Sequence, residues 1–195
     1  CKKKNKWIRL DEIYDAPLFQ KDLIHPNYVI QGKIGNCYFI SALSHIAKYP
    51  HLIQSFFDTE TPNKILGSVP DSINIKCGAV VVYFYCFGRR TPVLIDTLMP
   101  FSSKLDKLRF SRPSLPTYSP WFCLVEKAYA KLYESYSNIE KGLLCEAIHT
   151  LIGYEPIYKY INSLQQKEKV DKMPLFERLL KYQNQGALLG ASINM

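Results

Sequence analysis

The sequence predicts an α+β domain, mainly helical, with one β-hairpin at its side. Three segments carry that expectation. Trp121 to Ser135 is strongly periodic and puts Trp121, Leu124, Val125, Ala128 and Leu132 on one helix face. From Cys37 to Tyr49, the residues Phe39, Ile40, Leu43, Ile46 and Ala47 recur at helical spacing before Pro50. AVVVYFYCF (Ala79 to Phe87) is rich in β-branched and aromatic residues, and TPVLIDTLMPF (Thr91 to Phe101) follows the turn Gly88-Arg89-Arg90 as its partner strand.

The other elements follow in order. Residues 1–30 read as an irregular wrapping arm, because Pro17 and Pro26 break any long helix, and residues 31–195 read as the core. Asn36 is a natural N-cap for the Cys37 helix; Pro50 stops that helix, and Leu52 to Phe57 adds another turn or two. Ser102 to Pro120, with Pro113, Pro116 and Pro120, is expected as loop. Shorter helices are expected at Leu143 to Ile152 and Pro174 to Gln183, and ALLGASI (Ala187 to Ile193) as a last strand. The chain of 195 residues, 47% hydrophobic, can bury a single-domain core.

Composition narrows the function. No apolar run reaches the roughly 18 residues of a membrane span, and the basic start CKKKNKWIRL has no apolar stretch behind it to make a signal peptide, so a cytoplasmic protein is expected. The chain lacks an initial methionine and stops in SINM, so both ends read as cut from something longer. The net charge of +8 is spread over Lys2 to Lys4, Arg89-Arg90, Lys104 to Arg112 and Lys167 to Lys172, without a sustained basic helix. That is a solvated basic surface rather than a nucleic-acid site. The six cysteines form no CxxC pair and no zinc-finger spacing, which points to reduced thiols and no metal.

One cysteine stands apart. In QGKIGNCYFISAL (Gln31 to Leu43), Cys37 falls at the first turn of a helix, where unpaired N–H groups and the positive end of the helix dipole favour thiolate. Its backbone N–H can donate to an oxyanion, and the Gln31 amide can fold back over Gly32 and Gly35 as a second donor. On spacing alone, nucleophile and apolar buried thiol both stay open.

This segment resembles the active-site segment of the calpain family of papain-like cysteine proteases, Gln-Gly-x-x-Gly-Asp-Cys-Trp. Trp7-Ile8-Arg9, VLIDTLMPF, the run Trp121 to Leu132 and Gly186 to Ile193 are similar to family blocks in the same order. The resemblance implies the helical, cysteine-bearing lobe of a papain-like fold, Cys37 as nucleophile and Gln31 as oxyanion donor. It implies protein or peptide substrates for an intracellular endopeptidase.

The departures matter as much. The family's catalytic His and Asn motifs come after the closing strand and are not in this sequence; His25, His45, His51 and His149 do not match them. A partner subdomain carrying His and Asn is therefore implied, and the isolated chain is expected to be inert. Tyr38 replaces the family Trp, and Asn36 replaces Asp, removing a negative charge that disfavours thiolate. Glu140-Lys141-Gly142 stands for the substrate-binding Ser-Gly-Gly, leaving Gly142 to pair with peptide beside Lys141. Tyr28 and Ser119 occupy the positions of two calcium-ligating carboxylates, so no cofactor is expected. A non-catalytic binding or scaffold module of the same fold is the alternative, and a basic structural domain a third.

Overall fold

The computed structural model describes residues 6–14, 22, 24–57, 78–115, 119–157 and 174–191. Helix α2 (Cys37–Ile46) lies at the centre, because its Phe39, Ala42, Leu43 and Ile46 have no exposed surface. Pro50 opens α3 (Pro50–Phe56) as its first residue, where a missing N–H costs nothing. Helix α4 (Trp121–Leu132) buries every residue from Trp121 to Glu126 and stacks the Tyr129 ring on Phe39 at 4.0 Å between centroids. Helix α5 (Leu144–Ile152) packs on α2 through Leu144, Ala147 and Leu151.

Strands β3 (Ala79–Cys86) and β4 (Arg89–Asp96) pair antiparallel from Ala79 opposite Asp96 to Cys86 opposite Arg89. The connection is the two residues Phe87 and Gly88, both at positive φ (51° and 71°), which matches strand twist. In β4 the pleat alternates, with Val93 and Ile95 inward and Leu94 and Asp96 outward. The hairpin packs its inner face on α4 and α5. Pro92 is tolerated because β4 has only β3 as a neighbour among the described residues.

The partner strand expected over Thr91 to Phe101 is two strands. Thr97, fully buried, divides it: its N–H donates to the Gly78 carbonyl and its carbonyl accepts from the Leu10 N–H. Strand β5 (Leu98–Ser102) then turns away to a second sheet, between β1 (Lys6–Arg9) and β6 (Lys107–Leu108). The arm is thus anchored rather than merely wrapped, with Trp7 opposite Pro100 and the short helix α1 (Leu10–Ile13) fully burying Leu10. The supposed loop before Pro120 also holds β7 (Arg112–Pro113), paired with β2 (Val29–Ile30).

Other boundaries are corrected. The helix expected to Ser135 ends at Leu132, and the one expected to Tyr49 ends at Ile46 before a turn. Helix α6 (Leu175–Asn184) forms where expected but buries no residue. Residues 187–191 hold no strand; they pass close enough to α5 for Gly190 to sit against Leu144. Pro17, Pro116, Cys1, Cys77, Lys2 to Lys4, Lys167 to Lys172 and Ile193 lie outside the described residues.

The stack of Phe39 on Tyr129 ties α2 to α4 inside the core. Phe39→Ala is expected to lower unfolding free energy by about 3–5 kcal/mol, through lost burial plus a cavity that the flanking helices only partly refill. Urea denaturation followed by fluorescence checks it, and a loss below about 1 kcal/mol would show that α2 does not depend on this contact.

Candidate active site

The turn Gln31 to Asn36 is held from three sides. Lys33 N–H donates to the Arg109 carbonyl at 3.0 Å, and Arg112 Nη1 donates to the Gln31 carbonyl at 3.3 Å. Gly32 lies so close to Phe110 that a Cβ would fall 2.2 Å from its carbonyl carbon. Gln31 Nε2 donates to the Ile34 carbonyl at 2.7 Å, which folds the side chain back over the turn and leaves its second N–H available. Phe39 and Ile40 N–H groups both return to the Asn36 carbonyl, so the donors left free by the first turn of α2 are those of Cys37 and Tyr38. The Cys37 side chain is exposed.

Asn36 precedes the helix as expected, but its side chain does not cap it. Fully buried, it donates from Nδ2 to Glu126 Oε1 at 2.6 Å, while its own Oδ1 has no partner. The other oxygen of Glu126 accepts from Ser111 N–H at 2.9 Å and Ser111 Oγ at 2.6 Å. Burial raises the pKa of this carboxyl, and the Ser111 and Asn36 donors work in the opposite direction. The void beside it is about 10 Å³, at the lower limit for one water, so protein donors do the solvating. Sequence reasoning missed Glu126 and Ser111 as site residues. The available signal was a carboxyl inside WFCLVEKAYA, with apolar residues on both sides.

On the far side, the Glu140 carbonyl lies 3.2 Å from the Cβ position of Gly35, and Gly142 sits against the Tyr38 ring, where an added Cβ would come 2.5 Å from Cζ. The structure therefore brings Tyr38 and Gly142 together beside Cys37. Gly142 and Lys141 are both exposed. The Tyr38 hydroxyl shares a hydrogen bond with Tyr129, and its pKa is raised chiefly by burial. Tyr129 is also bonded to Tyr133.

None of the four histidines is recorded in contact with Cys37. His45 Nδ1 bonds the Ser41 carbonyl on the same helix at 2.7 Å, and His149 Nδ1 bonds the Tyr154 carbonyl at 3.0 Å. His25 accepts from the Asn27 N–H, and His51 meets the Tyr49 ring edge-on. Tyr28 is half-buried and Ser119 is buried. Among the described residues no three His, Cys, Asp or Glu side chains converge as a metal site would need.

Thiol exposure separates the described cysteines. Cys123 is buried, and desolvation, then the Glu126 charge, push its pKa well above the ordinary thiol range. Cys86 and Cys145 are half-buried. Limited iodoacetamide labelling at neutral pH with peptide mapping should modify Cys37 first and Cys123 last. Faster modification of Cys86 or Cys145 would contradict this order.

Comparisons with known proteins give the family. The family model described as calpain family cysteine protease matches residues 1–195. Calpain-5 of Mus musculus is 31% identical over 190 residues, covering 96% of this chain and 29% of its own length. The calpain-type cysteine protease DEK1 of Arabidopsis thaliana is 28% identical over 198 residues, covering 96% of this chain and 8% of its own. Calpain-12 of Homo sapiens is 31% identical over 164 residues, or 82% of this chain and 21% of its own. The chain thus spans less than a third of the length of these relatives. It belongs to the calpain family of cysteine proteases.

Proposed function

We propose that this chain supplies the nucleophile and oxyanion-binding half of a calpain-type cysteine endopeptidase site. The observation that carries the reading is the exposed thiol of Cys37 at the first turn of α2, with the adjacent N–H donors unclaimed by the helix. Cys37 attacks the scissile carbonyl of a protein or peptide substrate. The Cys37 N–H and the free N–H of Gln31 receive the oxyanion. Gly142 pairs with the extended substrate backbone, and Lys141 and Tyr38 flank that path.

The general acid that protonates the leaving amine comes from a second subdomain bearing His and Asn, since each histidine here is engaged locally. The chain acts in the cytoplasm, without a nucleic-acid partner; among the described residues no helix is long and apolar enough to cross a membrane. Calcium is not part of this half-site, because Tyr28 and Ser119 offer no carboxylate.

The test is turnover of a fluorogenic peptide library by the chain alone and by the chain supplemented with a His- and Asn-bearing lobe. The isolated chain is expected at background, and the supplemented protein is expected to turn over substrate. Cys37→Ala should abolish this activity and Gln31→Ala lower turnover by about 10²–10³. Activity surviving Cys37→Ala would place the nucleophile elsewhere. Inactivity of the correctly folded pair would favour the binding-module alternative, for which the altered Glu140-Lys141-Gly142 segment speaks.

A second measurement addresses calcium. Ligands that bind only the folded state raise Tm by mass action, so millimolar calcium should leave the Tm of this chain unchanged. A saturable rise at micromolar calcium would expose a site built from other residues.

A further inference from the structure

Helix α5 has a second face besides the one it packs on α2. Leu144, Ala147 and Leu151 are buried inward, whereas Glu146, His149 and Thr150, three and four residues apart, lie together along the neighbouring side. At the helix end Gly153, at φ 77°, turns the chain back. His149 Nδ1–H donates to the Tyr154 carbonyl at 3.0 Å, which holds the returning segment beside the helix. Glu155 and Pro156, with Tyr133 just beyond the end of α4, complete a cleft of about 420 Å³.

We propose that this cleft is a recognition pocket for an arginine side chain of a bound polypeptide. It rests on the peptidase reading only for the ligand being a polypeptide; the chemistry of the pocket owes nothing to Cys37.

The polar groups here are acceptors in want of donors. On a chain of net charge +8, neither Glu146 nor Glu155 has an ion-pair partner among the described residues. With Nδ1 donating to Tyr154, the neutral His149 ring keeps Nε2 as an acceptor. Thr150 is 8% exposed, yet its hydroxyl has no hydrogen-bond partner among the described residues. Leaving such a group unbonded is costly, and a donor entering the cleft relieves it. These side chains do not converge as a metal ion would need. A guanidinium suits their spread: it fans five N–H donors in one plane, and its face can stack on the exposed ring of Tyr133. A compact ammonium meets fewer of them at once.

The cleft adjoins the proposed substrate path. Gly142 lies two residues ahead of α5, and Glu146 is the third residue of that helix. Burial chiefly, with Tyr133 and Glu146 adding to it, raises the pKa of Tyr38, whose ring lies against Gly142.

The experiment is a fluorescence-anisotropy titration of this chain with a short dye-labelled peptide carrying one central arginine, and with twins carrying lysine or citrulline, the uncharged isostere. Saturable binding of the arginine peptide is expected, weaker binding of the lysine twin, and about tenfold weaker binding of the citrulline twin, since charge-assisted hydrogen bonds are the stronger kind. Glu146→Gln and Glu155→Gln should each weaken the arginine peptide about fivefold, the upper end for exposed ion pairs. Both residues are exposed, so these isosteric changes keep the fold, which melting curves check. Thr150→Val should weaken it about threefold. Glu177→Gln, an exposed carboxylate of α6 that does not line the cleft, and Cys37→Ala should bind as the parent does.

Absence of saturable binding to the parent would overturn the proposal, as would equal binding of the citrulline or the lysine twin. A loss in Glu177→Gln or Cys37→Ala as large as in Glu146→Gln would place the peptide elsewhere and overturn it too. The readout is binding and not turnover, so failure here leaves the assignment of Cys37 to the peptidase test, and failure of that test leaves the pocket to be judged by these titrations.

Discussion

A buried carboxyl group organises this lobe. Glu126 sits in the middle of α4 with 1% of its surface exposed, and a carboxyl in that position is tolerated only when its oxygens are hydrogen-bonded. Its partners come from two other parts of the chain, the Asn36 turn and the strand-poor segment around Ser111. Cys123, one turn before Glu126, adds a sulfhydryl bond to the Ser111 carbonyl at 3.2 Å. The requirement to satisfy one buried carboxyl therefore fixes three segments in one arrangement, which apolar packing, being non-directional, would not do.

Around that anchor the walls approach closely because side chains are absent. Gly32 lets the turn lie on the backbone of Phe110, and Gly142 lets the Glu140 segment lie on the Tyr38 ring. Phe110 in turn stacks on Tyr136 at 3.8 Å, so the wall behind Gly32 is itself braced by the stretch that leads to Gly142. The two flanks of Cys37 are thus parts of one packed unit. Displacing either flank disturbs the other.

Much of this was legible in the sequence. The periodic stripes of Phe39 to Ile46 and Trp121 to Leu132 announced helices, and the β-branched run at Val80 to Val82 announced the hairpin, because each signal is local and repeats at the period of its element. The pairing of β1 with β5 was not legible, since strand partners far apart in sequence leave no periodic trace. The division at Thr97 was missed for the same reason: its backbone serves Gly78 and Leu10, neither of them a neighbour in sequence. Asn36 shows the limit most sharply. Its residue type and position fit a cap, but a buried carboxyl competes for the same amide, and that carboxyl is invisible to local reading.

The 90-residue separation of Asn36 and Glu126 sets a timetable. At synthesis rates of roughly 5–20 residues per second, the cysteine turn leaves the ribosome roughly 5–18 s before its anchor does. During that interval α2, ten residues long, is too short to persist as an isolated helix, so the thiol lacks the setting that distinguishes it from any other cysteine. A newborn or partly unravelled copy carries the Cys37 thiol without its helix-end setting. Under the proposed function, an attacking group that arrives only with the finished lobe spares newly made chains that crowd together while still unfolded and easily cut.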